Sequence, residues 1–169
     1  MTRIARYRDR ATGDAALIAA VISARFELDD PLSAFRARHD DQLHDLLHSF
    51  AFNARKMIEL ARSISPQVSA LANQEGITGF TIQARQIGQS KSYSFLFVLN
   101  RIIHSDALVI SRADVLIGPE EADISHQLPF AILVQSDWDT RRDERHFVTL
   151  QGLLERFITI DEALKPHLS

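Results

Sequence analysis

Apolar residues recur every three or four positions along most of the chain, which is the spacing of amphipathic helices. The longest such stretch begins at Asp30, a suitable N-cap residue, and Pro31, a suitable first helical residue, and it ends near Ser63. Its apolar positions lie on one face of the predicted helix: Leu43, Leu46, Leu47, Phe50, Ala54, Met57, Ile58 and Ala61. The pattern therefore predicts a long helix that buries a single face.

Four shorter stretches have the same spacing and predict helices over 15–26, 66–73, 91–104 and 153–164. Asp14 and Ser90 precede the first and the third of these helices and are suitable N-cap residues. Before Asp14, the first ten residues hold four arginines and one aspartate. We expect a solvated arm there, with a local basic contact for a polyanion as the alternative.

After Asp106 the helical spacing gives way to short segments rich in β-branched residues. These segments predict a small antiparallel sheet with a hairpin, formed by residues 108–110, 115–117, 129–134 and 146–150. The polar stretch 137–144 is expected to be a hairpin turn. The glycine-containing stretch 76–90 is expected to be a loop.

The predicted fold class is α+β and mainly α: a four- to five-helix bundle with a small antiparallel β-sheet or hairpin appendage and a C-terminal helix. The 169 residues have the length of a single domain. The bundle is expected over about 13–106 and the hairpin with the C-terminal helix over about 107–169. A hydrophobic fraction of 46% is sufficient for a sizeable core.

The composition of the chain argues against several classes of protein. The net charge of −3 argues against a uniformly basic protein that coats nucleic acid. The chain has no cysteine, which excludes disulfides, a thiolate nucleophile and cysteine-ligated metals. No apolar stretch reaches the ~18–20 residues of a membrane span, and the first residues lack the apolar core of a secretory signal. We therefore expect a cytoplasmic protein that does not associate with membranes.

The long predicted helix carries the densest group of polar residues. His44 and His48 stand four residues apart on one face, with Asp41 one turn earlier, so the three could share a metal ion. The alternative is that they are partly solvated side chains beside the apolar face. Further along the same side, Arg55 either forms a salt bridge with Glu59 or binds an anion through its planar guanidinium.

A second group lies on the helix predicted over 91–104. Tyr93, Phe97, Asn100 and His104 form a seam along it, and the last two are one turn apart. Histidine can accept and return a proton near neutral pH, and asparagine can orient a substrate or donate to a developing oxyanion. The alternative is that His104 caps the helix and Asn100 forms a hydrogen bond across the bundle.

Two segments of the chain resemble the HEPN superfamily, helical bundles found in RNases, toxin modules and phage-defence proteins. They are residues 49–59, Ser-Phe-Ala-Phe-Asn-Ala-Arg-Lys-Met-Ile-Glu, and residues 99–105, Leu-Asn-Arg-Ile-Ile-His-Ser. The HEPN motif is an arginine and a polar residue, often asparagine, followed by three residues and a histidine. This chain has Asn100 and His104 at that spacing, with Leu99 where the family has its catalytic arginine. The resemblance spans about residues 13–106.

The resemblance implies metal-independent cleavage of RNA with no cofactor. His104 would act as general acid and base with Asn100 beside it, and Arg55, Arg85, Arg101 and Tyr93 are the candidate phosphate-binding residues. It also implies a homodimer in which two such sets converge, with RNA and a protein partner, an antitoxin or a regulator, in a toxin–antitoxin or defence system. A non-catalytic interaction or regulatory protein is the second hypothesis, because Leu99 replaces the catalytic arginine. A metal-dependent hydrolase that uses Asp41, His44 and His48 is the third.

Overall fold

The computed structural model describes residues 2–23, 36–83, 89–111 and 131–168. Within these ranges the chain is mainly helical and belongs to the α+β class, which confirms the predicted class. The helices are α1 (Arg3–Ser23), α2 (Arg36–Ala61), α3 (Pro66–Asn73), α4 (Phe95–Ile103), α5 (Asp137–Arg141) and α6 (Leu150–Leu164), and a 3-10 turn (Lys165–His167) follows. The strands are β1 (Glu75–Gln83), β2 (Gln89–Ser94), β3 (Ser105–Ser111), β4 (Ala131–Ser136) and β5 (Glu144–Thr149).

The five strands form one antiparallel sheet in the order β2-β1-β5-β4-β3. β2 and β3 are the two edge strands, and α4 is the segment that joins them. This helix contacts β1, β2, β3 and β4 on one side and α2, α3 and α6 on the other. Because α4 crosses from one edge of the sheet to the other, its last turn lies close to the ends of β3 and β4.

The sheet takes β1 and the start of β2 from a region that the sequence predicts to be a loop. Gly76 and Gly79 indicate a loop, but both lie in β1. At Gly79 an added Cβ would come within 2.1 Å of the Phe147 carbonyl oxygen and 2.8 Å of the Tyr93 ring. Glycine is therefore needed here for the close packing of β1 and β5, and not for a turn.

The helix predicted to start at Lys91 begins four residues later. Lys91 belongs to the exposed edge strand β2, and Ser94 is the N-cap of α4, where its side chain accepts a hydrogen bond from the amide of Phe97 at 3.3 Å. The predicted cap, Ser90, is an exposed strand residue. The polar residues of β2 stand directly before the apolar residues of α4, and together they resemble the first turns of an amphipathic helix. This is why the sequence places the helix start too early.

Replacing Ser94 by alanine tests this boundary. Loss of the cap is expected to lower the free energy of unfolding by about 1 kcal/mol, because an amide in the first turn of α4 loses its hydrogen bond. Ser90→Ala is the matched control, and its effect should stay within about 0.5 kcal/mol. Urea denaturation measures both values. Equal effects would place the cap elsewhere.

The helices pack around three aromatic side chains from α2, α4 and α6. The Phe50 ring meets Phe157 edge-on at a centroid distance of 5.1 Å and Phe95 at 6.2 Å. All three rings are buried. The apolar face predicted for the long helix therefore becomes the centre of the core.

The N-terminal segment is helical and attached to the rest of the fold, which corrects the expectation of a solvated arm. α1 starts at Arg3, and the guanidinium of Arg8 contacts the Asp161 carboxylate on α6 through two hydrogen bonds of 2.5 and 2.9 Å. Asp14 lies within α1 and not at its start. Its carboxylate accepts hydrogen bonds from Ser49 and Asn53 on α2.

The stretch 137–144, predicted to be a hairpin turn, instead contains the short helix α5 between the paired strands β4 and β5. The other predicted elements agree with the structure or fall outside it. α3 has the predicted limits, and the segments at 108–110, 129–134 and 146–150 lie largely within β3, β4 and β5. The predicted strand at 115–117 and the helix start at Asp30–Pro31 lie outside the described residues. None of the helices in the described ranges is long and apolar enough to cross a membrane.

Candidate functional site

A pocket of about 530 Å³ opens at the C-terminal end of α4, next to the end of β4 and the start of α5. α4 with its C-cap residue and β3 supply five of its lining residues, and β4 and α5 supply two: Asn100, Arg101, Ile103, His104, Ser105, Ser136 and Trp138. Trp138 is 60% exposed and stands at the rim. The pocket thus combines an imidazole, an amide, a guanidinium and an exposed aromatic ring.

Three of the site residues suggested by the sequence line this pocket together. Asn100 and His104 are one helical turn apart, and His104 is the exposed C-cap residue of α4. The Oδ1 atom of Asn100 is buried and has no hydrogen-bond partner among the described residues. This differs from the alternative in which Asn100 forms a hydrogen bond across the bundle.

Arg101 lines the pocket and forms an ion pair with Asp139, the residue that follows Trp138. Its Nε lies 2.6 Å from Oδ2 of Asp139, and its Nη2 donates to Oδ1 at 2.8 Å. The guanidinium also stacks over the Phe97 ring, 4.4 Å from the centroid. Arg101 is therefore held in a single orientation, and most of its charge is balanced by a carboxylate.

The side chain of Asp139 is fully buried. It belongs to the capping box of α5, in which the Ser136 hydroxyl and amide donate to Oδ2 at 2.6 and 3.0 Å. Burial alone would raise the pKa of Asp139, but the hydrogen bonds from Ser136 and the Arg101 guanidinium outweigh it, so the pKa lies below its ordinary value. Asp139 is thus a buried, charged group.

Behind this pair lies a buried polar network centred on His146. Its Nδ1 is 3.1 Å from the Thr81 hydroxyl and 3.3 Å from the Tyr93 hydroxyl, and these two oxygens are 2.5 Å apart. The Tyr93 hydroxyl donates to the Phe80 carbonyl at 3.0 Å. Burial lowers the pKa of His146 from its ordinary value, although Asp139 and Glu144 oppose this change. The network joins β1, β2 and β5.

Tyr93 does not line the pocket. It belongs to β2 and not to the helix predicted to carry it, and only 2% of it is exposed. Its ring stacks on Phe97, which in turn meets His146 edge-on at 5.1 Å. Because its hydroxyl already has partners within the fold, Tyr93 is a structural member of the network and not a phosphate ligand.

The other candidates lie away from the pocket. Arg55 forms the predicted salt bridge with Glu59, with Nε 2.9 Å from Oε1. Arg85 lies outside the described residues. On α2, Asp41 is exposed and His44 and His48 are partly exposed. Within the ranges that the structure describes, the group of three close metal-ligating atoms comes from Asp139, Glu144 and His146, and not from Asp41, His44 and His48.

Sequence reasoning did not single out Asp139, Glu144 and His146 as functional residues. It assigned 137–144 to a solvated turn, where acidic residues are common. One local signal was present: Ser136 followed three residues later by Asp139 has the arrangement of a capping box. That pattern indicates the start of α5, but not that the carboxylate is buried against Arg101.

A scan against protein-family models finds no match for this chain, and searches of the curated proteins and of the solved structures find no similar protein.

The burial of Tyr93 predicts a loss of folding stability at alkaline pH. Burial raises the pKa of Tyr93 to about 12, against about 10 for an exposed tyrosine. The folded state therefore holds this proton more tightly than the unfolded state, so the resulting stability is complete below about pH 10 and is lost as the pH rises through about 12. Urea denaturation across this range should show the decline, and Tyr93→Phe should flatten it. A variant as pH-sensitive as the wild type would contradict the assignment.

Proposed function

We propose that this protein binds single-stranded RNA at the pocket beside α4 and cleaves it without a metal ion, in agreement with its resemblance to HEPN domains. The observation that carries the proposal is that Asn100, Arg101 and His104 line one pocket with the exposed Trp138. A nucleobase can stack on an indole, and a phosphate can accept hydrogen bonds from a guanidinium and an amide. The pocket offers all of these groups within one concave surface.

The proposed reaction is an internal transesterification of RNA. His104 accepts the proton of a ribose 2′-hydroxyl while O2′ attacks the adjacent phosphorus, and the bond from phosphorus to the 5′-oxygen breaks. The 5′-oxygen leaves with a proton from water, and His104 returns its own proton to solvent. Asn100 donates to a phosphate oxygen as charge develops there. The products are a 2′,3′-cyclic phosphate and a 5′-hydroxyl.

A second candidate function is RNA binding without cleavage. The observation in its favour is the ion pair between Arg101 and Asp139, because a guanidinium whose charge is already balanced stabilises a phosphorane-like transition state less than a free one. Leu99 stands where HEPN enzymes have their catalytic arginine, and Leu99 is buried here. A protein that binds RNA without cleaving it would not need a free arginine to stabilise a transition state.

The decisive experiment compares the wild type with His104→Gln on a labelled single-stranded RNA of mixed sequence, with and without EDTA. We expect chelator-resistant cleavage that falls about 100-fold in the variant, the size of a general acid–base contribution. His167→Gln is the matched control, because His167 is also exposed but lies in the C-terminal 3-10 turn. DNA of the same sequence lacks the 2′-hydroxyl and should stay intact.

The outcomes separate the candidates. RNA binding without cleavage supports the second function. If neither cleavage nor binding is found, both RNA functions are excluded, and the interaction or regulatory hypothesis is what remains. The assays should be run well below the unfolding temperature of the EDTA-treated protein, so that a loss of folded protein is not read as a metal-dependent reaction.

We also propose the homodimer that the resemblance implies, in which two pockets face one another. Light scattering coupled to size exclusion measures the mass directly. A monomer across the concentrations used for cleavage would show that each pocket acts alone. An antitoxin or regulator as partner, and a role in defence, remain predictions from the resemblance.

A further inference from the structure

We propose that His146, Asp139 and Glu144 form a binding site for a divalent transition-metal ion of the zinc type. The Nε2 atom of His146 lies 3.5 Å from Oδ1 of Asp139 and 3.8 Å from Oε1 of Glu144. The three ligand atoms are all within 4.8 Å of one another. Neighbouring ligands of a tetrahedral zinc ion, each about 2.0–2.1 Å from the metal, are about 3.3 Å apart. The two distances from His146 thus lie within about 0.5 Å of this spacing, and the side chains would close the remainder on binding.

The hydrogen bonds around Nδ1 of His146 indicate which ring nitrogen carries the proton. The single proton of the Tyr93 hydroxyl goes to the Phe80 carbonyl, which can only accept. The Thr81 hydroxyl, 2.5 Å from the Tyr93 oxygen, must then donate to it. Thr81 is left as an acceptor, and it receives the proton on Nδ1 of His146 at 3.1 Å. The neutral ring consequently carries its lone pair on Nε2.

Nε2 lies beside two carboxylates, which offer no proton in their charged forms. The His146 side chain is 2% exposed, and its Nε2 has no hydrogen-bond partner in the described part of the chain. The side chains of Asp139 and Glu144 are 0% and 13% exposed. A divalent cation at this position would give the buried nitrogen a partner and neutralise the two buried carboxylates. Histidine nitrogen together with two carboxylate oxygens is a ligand set that zinc accepts.

Arg101 and Arg142 are compatible with an ion at this position. Arg101 occupies Oδ2 of Asp139 and one lone pair of Oδ1, so a second lone pair of Oδ1 stays available. Arg142 lies 4.0 Å from Oε2 of Glu144, whereas Oε1 is the atom nearer His146. The Thr81 hydroxyl that holds Nδ1 and the guanidinium that holds Asp139 are the outer partners that metal ligands usually have.

The ion would connect α5 to β5 and fix a wall of the pocket, since Asp139 contacts two pocket residues, Arg101 and Ser136. Three protein ligands leave one coordination position for water or another ligand. The site is independent of RNA cleavage: it uses none of the groups assigned to that reaction, and either proposal can fail without the other.

The test is titration of the full chain with ZnCl₂ by isothermal calorimetry, after dialysis against EDTA and then against metal-free buffer. We expect one ion per chain and an unfolding temperature that rises with the zinc concentration. Glu144→Gln should weaken zinc binding at least about 10-fold, because a neutral amide replaces a charged ligand. Glu144 is partly exposed, so this variant keeps the fold more readily than His146→Gln does.

Two controls locate the ion. Glu162→Gln removes an exposed carboxylate from α6 and should leave the affinity unchanged. The double variant His44→Gln/His48→Gln removes the histidine pair of α2 and should also bind zinc normally. The proposal is overturned if the wild type binds no zinc, if Glu144→Gln binds it as tightly as the wild type, or if the α2 double variant loses it.

Discussion

Replacing Arg101 by methionine is expected to lower the free energy of unfolding by about 3–5 kcal/mol. The reason is the Asp139 carboxylate, which is fully buried and would lose its cationic partner. Methionine retains an unbranched apolar stem against Phe97, so the change removes the charge more than the packing. Urea denaturation of the EDTA-treated, metal-free protein at neutral pH, with the slope checked for two-state behaviour, measures the loss.

The control for this prediction is Arg142→Met. Arg142 is 55% exposed and 4.0 Å from Glu144, so its removal should cost at most about 1 kcal/mol. Adding Asp139→Asn to Arg101→Met should recover part of the loss, because the buried charge is then gone. If Arg101→Met is no more destabilising than Arg142→Met, the pair is not a buried ion pair in solution.

The second large effect is expected for Phe50→Ala, which should also cost about 3–5 kcal/mol. Phe50 is fully buried and contacts Phe95 and Phe157 edge-on, so alanine leaves a cavity where α2, α4 and α6 meet. Thermal and urea unfolding should both report the loss. The cavity is expected to persist, since three separate helices would have to move together to fill it.

Phe52 provides a matched control two residues away on the same helix. It is 48% exposed and touches Tyr7 edge-on at 6.3 Å. Phe52→Ala should therefore cost about 1 kcal/mol or less, mainly through the lost aromatic contact. Similar losses for the two variants would mean that α2 is rotated from the orientation described above.

The two stability predictions and the RNA proposal all concern residues that lie on α4 or contact it. Its buried face carries Phe95 of the aromatic core, and its last turn carries Arg101 and His104 of the pocket. Arg101 is at once a pocket residue and the partner of a buried carboxylate. For this reason, loss of RNA cleavage in an Arg101 variant would report on folding as well as on the site, whereas His104 is exposed and can be replaced alone.

Local patterns were sufficient for α2, α3 and α6. The apolar face of α2, the proline that begins α3 and the spacing of α6 are each contained within a short segment, because a helix closes its hydrogen bonds within four residues. The same local spacing placed Asn100 and His104 one turn apart. By the same spacing, Arg101 projects from α4 at a different angle from Asn100 and His104. All three nevertheless line the pocket.

The sequence by itself thus determined the mainly helical α+β class, the apolar face of α2 and the Asn100–His104 pair. Only the tertiary structure decided that residues 75–83 and 89–94 are strands, that Arg101 pairs with Asp139, and that His146 faces two carboxylates. For β1 and for the Arg101–Asp139 pair, the physical reason is distance along the chain, because β1 pairs with β5 and Arg101 with Asp139 across tens of residues. Asp139, Glu144 and His146 are close in sequence, but the polar residues of 137–144 look the same locally whether they face water or the interior.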